Sequence, residues 1–186
     1  DECYVERNVY GGGNYGSVST GTGHKSDIYI KGGTVNGSVF GGSNNQKGQI
    51  VNINMTDGQV NTGIYGGSNA TGTVAGPVTI NINGGQIGTS TTSANIHGGG
   101  YGSSTVVSGN IDLTVGVENA TSGATIYGDV YGGSALGKVN GTAGTTTYHT
   151  NVTLNKGTIY GSLYGGALGD NNTAANVYGP VTVTVN

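Results

Sequence analysis

The sequence predicts an all-β chain built as a parallel β-helix, a β-solenoid of about six coils of three short strands with essentially no helix. Three observations predict it. A phrase of apolar residue, aromatic residue and two glycines recurs along the whole chain, segments of strict period-two alternation lie between the phrases, and no window carries a 3.6-residue apolar period.

The phrase occurs as Val9-Tyr10-Gly11-Gly12, Val39-Phe40-Gly41-Gly42, Ile64-Tyr65-Gly66-Gly67, Ile96-His97-Gly98-Gly99, Val130-Tyr131-Gly132-Gly133 and Leu163-Tyr164-Gly165-Gly166. Its ring-bearing positions lie 30, 25, 32, 34 and 33 residues apart. A matching segment precedes several of them, as in Thr34-Val35-Asn36-Gly37-Ser38, Thr125-Ile126-Tyr127-Gly128-Asp129 and Thr158-Ile159-Tyr160-Gly161-Ser162. The alternating element reads Val51-Asn52-Ile53-Asn54-Met55, Val78-Thr79-Ile80-Asn81-Ile82 and Val181-Thr182-Val183-Thr184-Val185. Alternation turns the β-branched row inward and the Thr or Asn row outward. A shorter third element appears at Val74-Ala75-Gly76, Val139-Asn140-Gly141 and Val177-Tyr178-Gly179.

Three strands per repeat, none able to bury its apolar face alone, stack as coils about 4.8 Å apart, giving a rod roughly 29 Å long. Glycine is expected at left-handed or tight turns between the strands. A β-propeller or an antiparallel sandwich is the second architecture, disfavoured by uneven connections and the lack of regularly placed Asn-Gly hairpin turns.

Composition narrows the function classes. The 186 residues include 40 Gly, only 8% charged residues and a net charge of −3. Low charge with regularly placed Val, Ile and Thr favours ordered strands over disorder. No basic stripe exists to neutralise phosphates, so nucleic acid is not an expected partner. No apolar run approaches the roughly 18 residues of a membrane span. A single cysteine, Cys3, makes no internal disulfide and reads as a small buried residue ahead of an intermolecular link.

The whole of 1–186 reads as one uncapped repeat domain with a partial repeat at each end. Val5-Glu6-Arg7-Asn8-Val9-Tyr10 overlays Val35-Asn36-Gly37-Ser38-Val39-Phe40, and the two partial repeats joined make one of 32 residues. The expectation is either a piece of a longer array or copies stacked head to tail into an open filament. The residues expected at such a junction are Tyr4, Val5 and Val9 on one side and Val181, Val183 and Val185 on the other.

Chemistry is sparse. The acids Asp1, Glu2, Glu6, Asp27, Asp57, Asp112, Glu118, Asp129 and Asp170 occupy different registers of the repeat, so no catalytic pair is expected; a polysaccharide lyase or hydrolase is the least favoured class. His24, His97 and His149 fall in separate coils without a second Cys, and neither a metal nor a cofactor is expected. Gly11-Gly12-Gly13-Asn14-Tyr15-Gly16 matches a dinucleotide fingerprint in letters only, since no helix follows it. Ice binding by outward Thr rows is disfavoured by uneven coil lengths. Asn-x-Ser/Thr sequons stand at Asn36, Asn54, Asn69, Asn119, Asn140, Asn151 and Asn171.

The most distinctive side chains are Tyr10, Phe40, Tyr65, His97, Tyr131 and Tyr164. With the preceding Val or Ile inward, parity sends these rings outward, where they are expected to form an external ladder that stiffens the coil edge. Tyr127 and Tyr160 are expected to widen that patch. Surface glycans or a partner protein are its alternative ligands.

The Val-Tyr-Gly-Gly phrase with the alternating Val-Thr-Ile-Asn strand resembles the repeat arrays of bacterial cell-surface, adhesin-like β-helix proteins, along the whole chain. The resemblance implies secretion, exposure on a cell surface or appendage, and a structural role as filament or adhesin stalk rather than an enzyme. The chain departs from such arrays in lacking caps and a separate binding domain.

Overall fold

The computed structural model describes residues 3–18, 21, 23–144 and 147–186; Asp1 and Glu2, two of the acids considered above, lie outside them. Among the described residues there is no helix, and every pairing between strands is parallel.

The strands form three sheets of ten, six and four strands. Between one alternating strand and the next the chain visits all three. Val78–Ile82 and Gln86–Ile87 lie in the first sheet, Asn95–His97 in the second and Tyr101–Val107 in the third, before Ile111–Val115 returns to pair with Val78–Ile82. The first sheet is thus entered by two segments where the sequence reads one. The reason is a bend: Ile50–Val60 pairs with Val78–Ile82 through residues 51–55 and with Gln86–Ile87 through residues 59–60. Gly33, Gly58 and Gly85 stand at this bend in successive repeats, with φ of 71°, 91° and 82° that L side chains rarely adopt.

Register holds the same side chains in line. Ile28, Ile53, Ile80, Leu113, Val152 and Val183 face one another across the first sheet, flanked on the other pleat by Tyr29, Asn54, Asn81, Thr114, Thr153 and Thr184. Val51, Ile53 and Met55 are fully buried, as are Val78, Ile80 and Ile82. Burying each such side chain contributes about 1.5–3 kcal/mol, which makes this aliphatic column the main source of stability. Ile64, Ile96 and Val130 of the second sheet and Val74, Val107 and Val139 of the third join the same core.

The Gly-Gly phrases are not left-handed turns. None of their twelve glycines has a positive φ; that conformation falls instead on glycines elsewhere and on residues such as Asn45 and Asn140. Their first glycines form a column in which a Cβ on Gly11, Gly41, Gly66, Gly98 or Gly132 would strike the carbonyl oxygen of the equivalent glycine one repeat on. The same residues bond across the repeats, Gly66 N–H to the His97 carbonyl and Gly98 N–H to the Tyr131 carbonyl, both at 2.9 Å. Close approach of backbones, rather than torsional freedom, is what requires glycine there.

Candidate functional site

The ring of each Gly-Gly phrase is set by the second sheet, where Tyr10, Phe40, Tyr65, His97, Tyr131 and Tyr164 occupy equivalent registers. The six rings make one continuous stack with centroid spacings of 5.2, 4.8, 5.1, 4.8 and 4.8 Å, and no pair is tilted by more than 10°. The spacing follows the strand separation, so parallel pairing alone brings the rings into face-to-face contact.

The ladder lies outside the aliphatic core, but its inner rings are shielded from solvent: His97 is 1% exposed, Phe40 4% and Tyr131 7%. Each inner ring has both faces covered by its neighbours, and Tyr101 closes on the edge of Tyr65 at 5.5 Å. Only the end ring Tyr164 is freely exposed. Tyr127 and Tyr160 do not widen this stack; they form a separate pair 4.9 Å apart.

Burial governs the electrostatics. It pushes the Tyr65 phenol up to about 12. Tyr131 also rises to about 12, through burial and then through its hydrogen bond to Asp129. Burial drives the His97 imidazole down to about 4, against the opposing pull of the Asp129 carboxylate. The Nδ1 of His97 is buried without a hydrogen-bond partner.

A polar row beside the stack carries no obvious signal in the repeat phrase. The residue just before three of the six phrases reaches across to the next repeat: Asn8 Oδ1 accepts from Ser38 N–H at 2.8 Å, Asn95 Oδ1 from Asp129 N–H at 2.8 Å, and Asp129 Oδ1 from Ser162 N–H at 2.7 Å. The Tyr131 hydroxyl donates to the other Asp129 oxygen at 3.0 Å. Side-chain amides also chain along the stack of repeats, with Asn69 donating to Asn44 and Asn44 to Asn14 at 3.0 and 2.7 Å. The sequence offered one clue to both rows, the recurrence of Asn, Asp or Ser at matching offsets.

Asn140, a sequon position within the third element, has an internal role. It is fully buried with φ of 62°; its Nδ2 donates to the carbonyls of Gly109 and His149, and its Oδ1 accepts from the Thr150 hydroxyl at 2.8 Å. An amide so enclosed cannot accept a glycan.

The described acids are dispersed among local partners. Asp27 pairs with Lys25 at 2.8 Å and accepts from Asn52, and Lys25 first and then Asn52 hold its carboxyl below the usual range. Asp112 meets His149 Nε2 at 3.2 Å and Asn151 Nδ2 at 3.0 Å. Among the described residues, no three His, Cys, Asp or Glu side chains gather as metal ligands would. No helix of the described residues is long and apolar enough to cross a membrane. Cys3 is exposed rather than buried, because its strand neighbours Tyr4–Val5 lie on the rim of the first sheet.

The expected junction residues lie at the two extremes of the first and second sheets. Tyr4 and Val5 are exposed, and Val9 is half-buried against the core. At the other extreme Val181, Val183 and Val185 are 44%, 45% and 66% exposed, whereas their register equivalents Ile111, Leu113 and Val115 are at most 1% exposed. Val181–Val185 pairs with Thr150–Leu154 along one edge only.

Compared with protein-family models, with curated proteins and with solved structures, the chain matches none of them.

Proposed function

We propose that the chain is a parallel β-helix of about six coils, and that it serves as a structural unit of an extracellular filament or adhesin stalk. Strands one repeat apart in sequence pair side by side in each sheet, and a six-ring stack carries one ring per repeat; both observations support coils rather than layers of independent sheets.

The observation that carries the structural role is the register of the repeats, which stacks Ile53, Ile80, Leu113 and Val152 in one buried row. Val181–Val185 continues that row, with one edge paired to Thr150–Leu154 and the other free for a further repeat. An apolar, unpaired parallel edge takes up a further strand of the same kind. Its complement is the opposite extreme, where Tyr4–Val5, Val9–Tyr10 and the Lys25–Ile30 part of Lys25–Val35 present the other edge. A second copy of the chain, or further repeats of a longer one, supplies the same register. The role needs no cofactor and no catalytic step.

Burial of the inner rings removes support for the alternative in which the six-ring stack binds glycans or a partner through its faces.

Sedimentation velocity and negative-stain imaging of the 186-residue chain test the reading. The wild type forms concentration-dependent linear polymers, and Val183→Asp, which sets a charge on the exposed edge, stays monomeric while folded. A wild type that remains a single species near 18.4 kDa at high concentration overturns head-to-tail assembly.

A further inference from the structure

One repeat differs from the others, and the difference builds a groove. Val35, Val60, Ile126 and Ile159 are each followed three positions later by the residue just before the Gly-Gly phrase, Ser38, Gly63, Asp129 and Ser162, but Ile87 is followed by its counterpart Asn95 only after eight. The extra residues, 89–93, read Thr-Ser-Thr-Thr-Ser. They rise as a tight turn, closed by Thr89 N–H to the Thr92 carbonyl at 2.8 Å and Thr92 N–H to the Thr89 carbonyl at 3.2 Å. The Thr89 hydroxyl holds the turn from inside by accepting from Thr92 N–H at 3.0 Å. Ser90, Thr91, Thr92 and Ser93 are left exposed.

Beside the turn stands the Tyr127–Tyr160 pair, with planes 7° apart. Ile87, Ile126 and Ile159 are in register, so Gly88, Tyr127 and Tyr160 are successive members of one column. Gly88, with φ of 74°, therefore sits where a third ring would have covered Tyr127. The inserted turn and the two tyrosines together line a groove of about 540 Å³, within the roughly 300–1,000 Å³ range of small-ligand sites. Tyr160 is 66% exposed and presents its ring to the groove.

We infer that this groove is a binding site for a neutral saccharide. Aromatic faces meet the C–H faces of a pyranose ring, while serine and threonine hydroxyls exchange hydrogen bonds with its hydroxyl groups. No charged residue lines the groove, so nothing in it compensates a uronate, sulfate or phosphate. The chemistry selects uncharged hexose or N-acetylhexosamine units. The site is separate from the six-ring stack, but Tyr160 follows Gly157–Ile159, the outermost strand of the first sheet, so binding is measured at concentrations below those of polymer formation.

The test is binding of the chain to an array of neutral gluco-, manno-, galacto- and N-acetylhexosamine oligosaccharides, with polygalacturonate and heparin as charged probes. At least one neutral series binds, the charged polymers do not, and Tyr160→Ala weakens binding tenfold or more while Tyr160→Trp retains it. Tyr29→Ala, which removes a ring of similar exposure on another face, leaves binding unchanged. Thr91→Val repeats the test from the hydroxyl side, and unchanged circular dichroism shows that each variant is folded. No neutral binding at millimolar concentration, binding that survives Tyr160→Ala, or preference for the charged polymers overturns the inference.

Discussion

The imidazole of His97 lies flat against the phenol ring of Tyr131, centroids 4.8 Å apart and planes 1° from parallel. The same imidazole lies 5.1 Å from Tyr65 on its other face. A charged imidazolium in that slot loses most of its hydration, which is why burial holds the group near 4 rather than at 6.5.

Stability should therefore depend on acid. A histidine whose folded value lies below its unfolded value contributes stability that is full above about 6.5 and lost progressively as pH falls toward about 4. The loss amounts to about 3 kcal/mol at most. Denaturant midpoints measured from neutral to acid pH should fall in the wild type, and His97→Phe should flatten that part of the curve.

At the alkaline end the sign is reversed. Tyr65 and Tyr131 each move from 10.0 to about 12, so their contribution is full below pH 10 and is lost as pH rises through about 12. Phenolate absorbance should show two tyrosines titrating late, and Tyr65→Phe should remove one of them.

Gly98→Ala should cost about 3 kcal/mol or more, because the new methyl meets both the Gly132 carbonyl and the Ile111 side chain, and neither can withdraw without breaking the register. Gly166→Ala belongs to the same repeated phrase and meets nothing within 4 Å. It should be nearly neutral, and the contrast between the two thermal midpoints checks the close-approach explanation.

Asn140→Ala should cost about 3 kcal/mol, since it strands the Gly109 and His149 carbonyls and the Thr150 hydroxyl in a buried site. Asn140→Asp keeps the acceptor for Thr150 but removes both donations and should be comparably damaging. Equilibrium denaturation with an unchanged slope would assign the loss to the folded state.

Much of this architecture is legible in the residues. The six phrases named the six rings that stack, and the alternation of Val51-Asn52-Ile53-Asn54-Met55 named the buried row, because a period of two assigns faces locally. Parity did not reveal the burial of Phe40 and His97. It tells which side of its own strand a ring occupies, while burial depends on the ring above and the ring below. The glycine phrases misled for a related reason: composition suggests torsional freedom, whereas the constraint on Gly98 is a carbonyl 34 residues away in sequence.

By itself the sequence determined the repeat, the strand content and the identity of the stacked and buried columns, since each follows from local period and recurrence. The tertiary structure decided what those columns face. Only the register between repeats bends the first sheet at Gly58, closes Asn140 around three neighbours and shields His97. It also sets the Thr-Ser turn of residues 89–93 against Tyr127 and Tyr160. Those outcomes rest on contacts between residues a full repeat apart, where solvent exclusion and steric fit act across strands rather than along them.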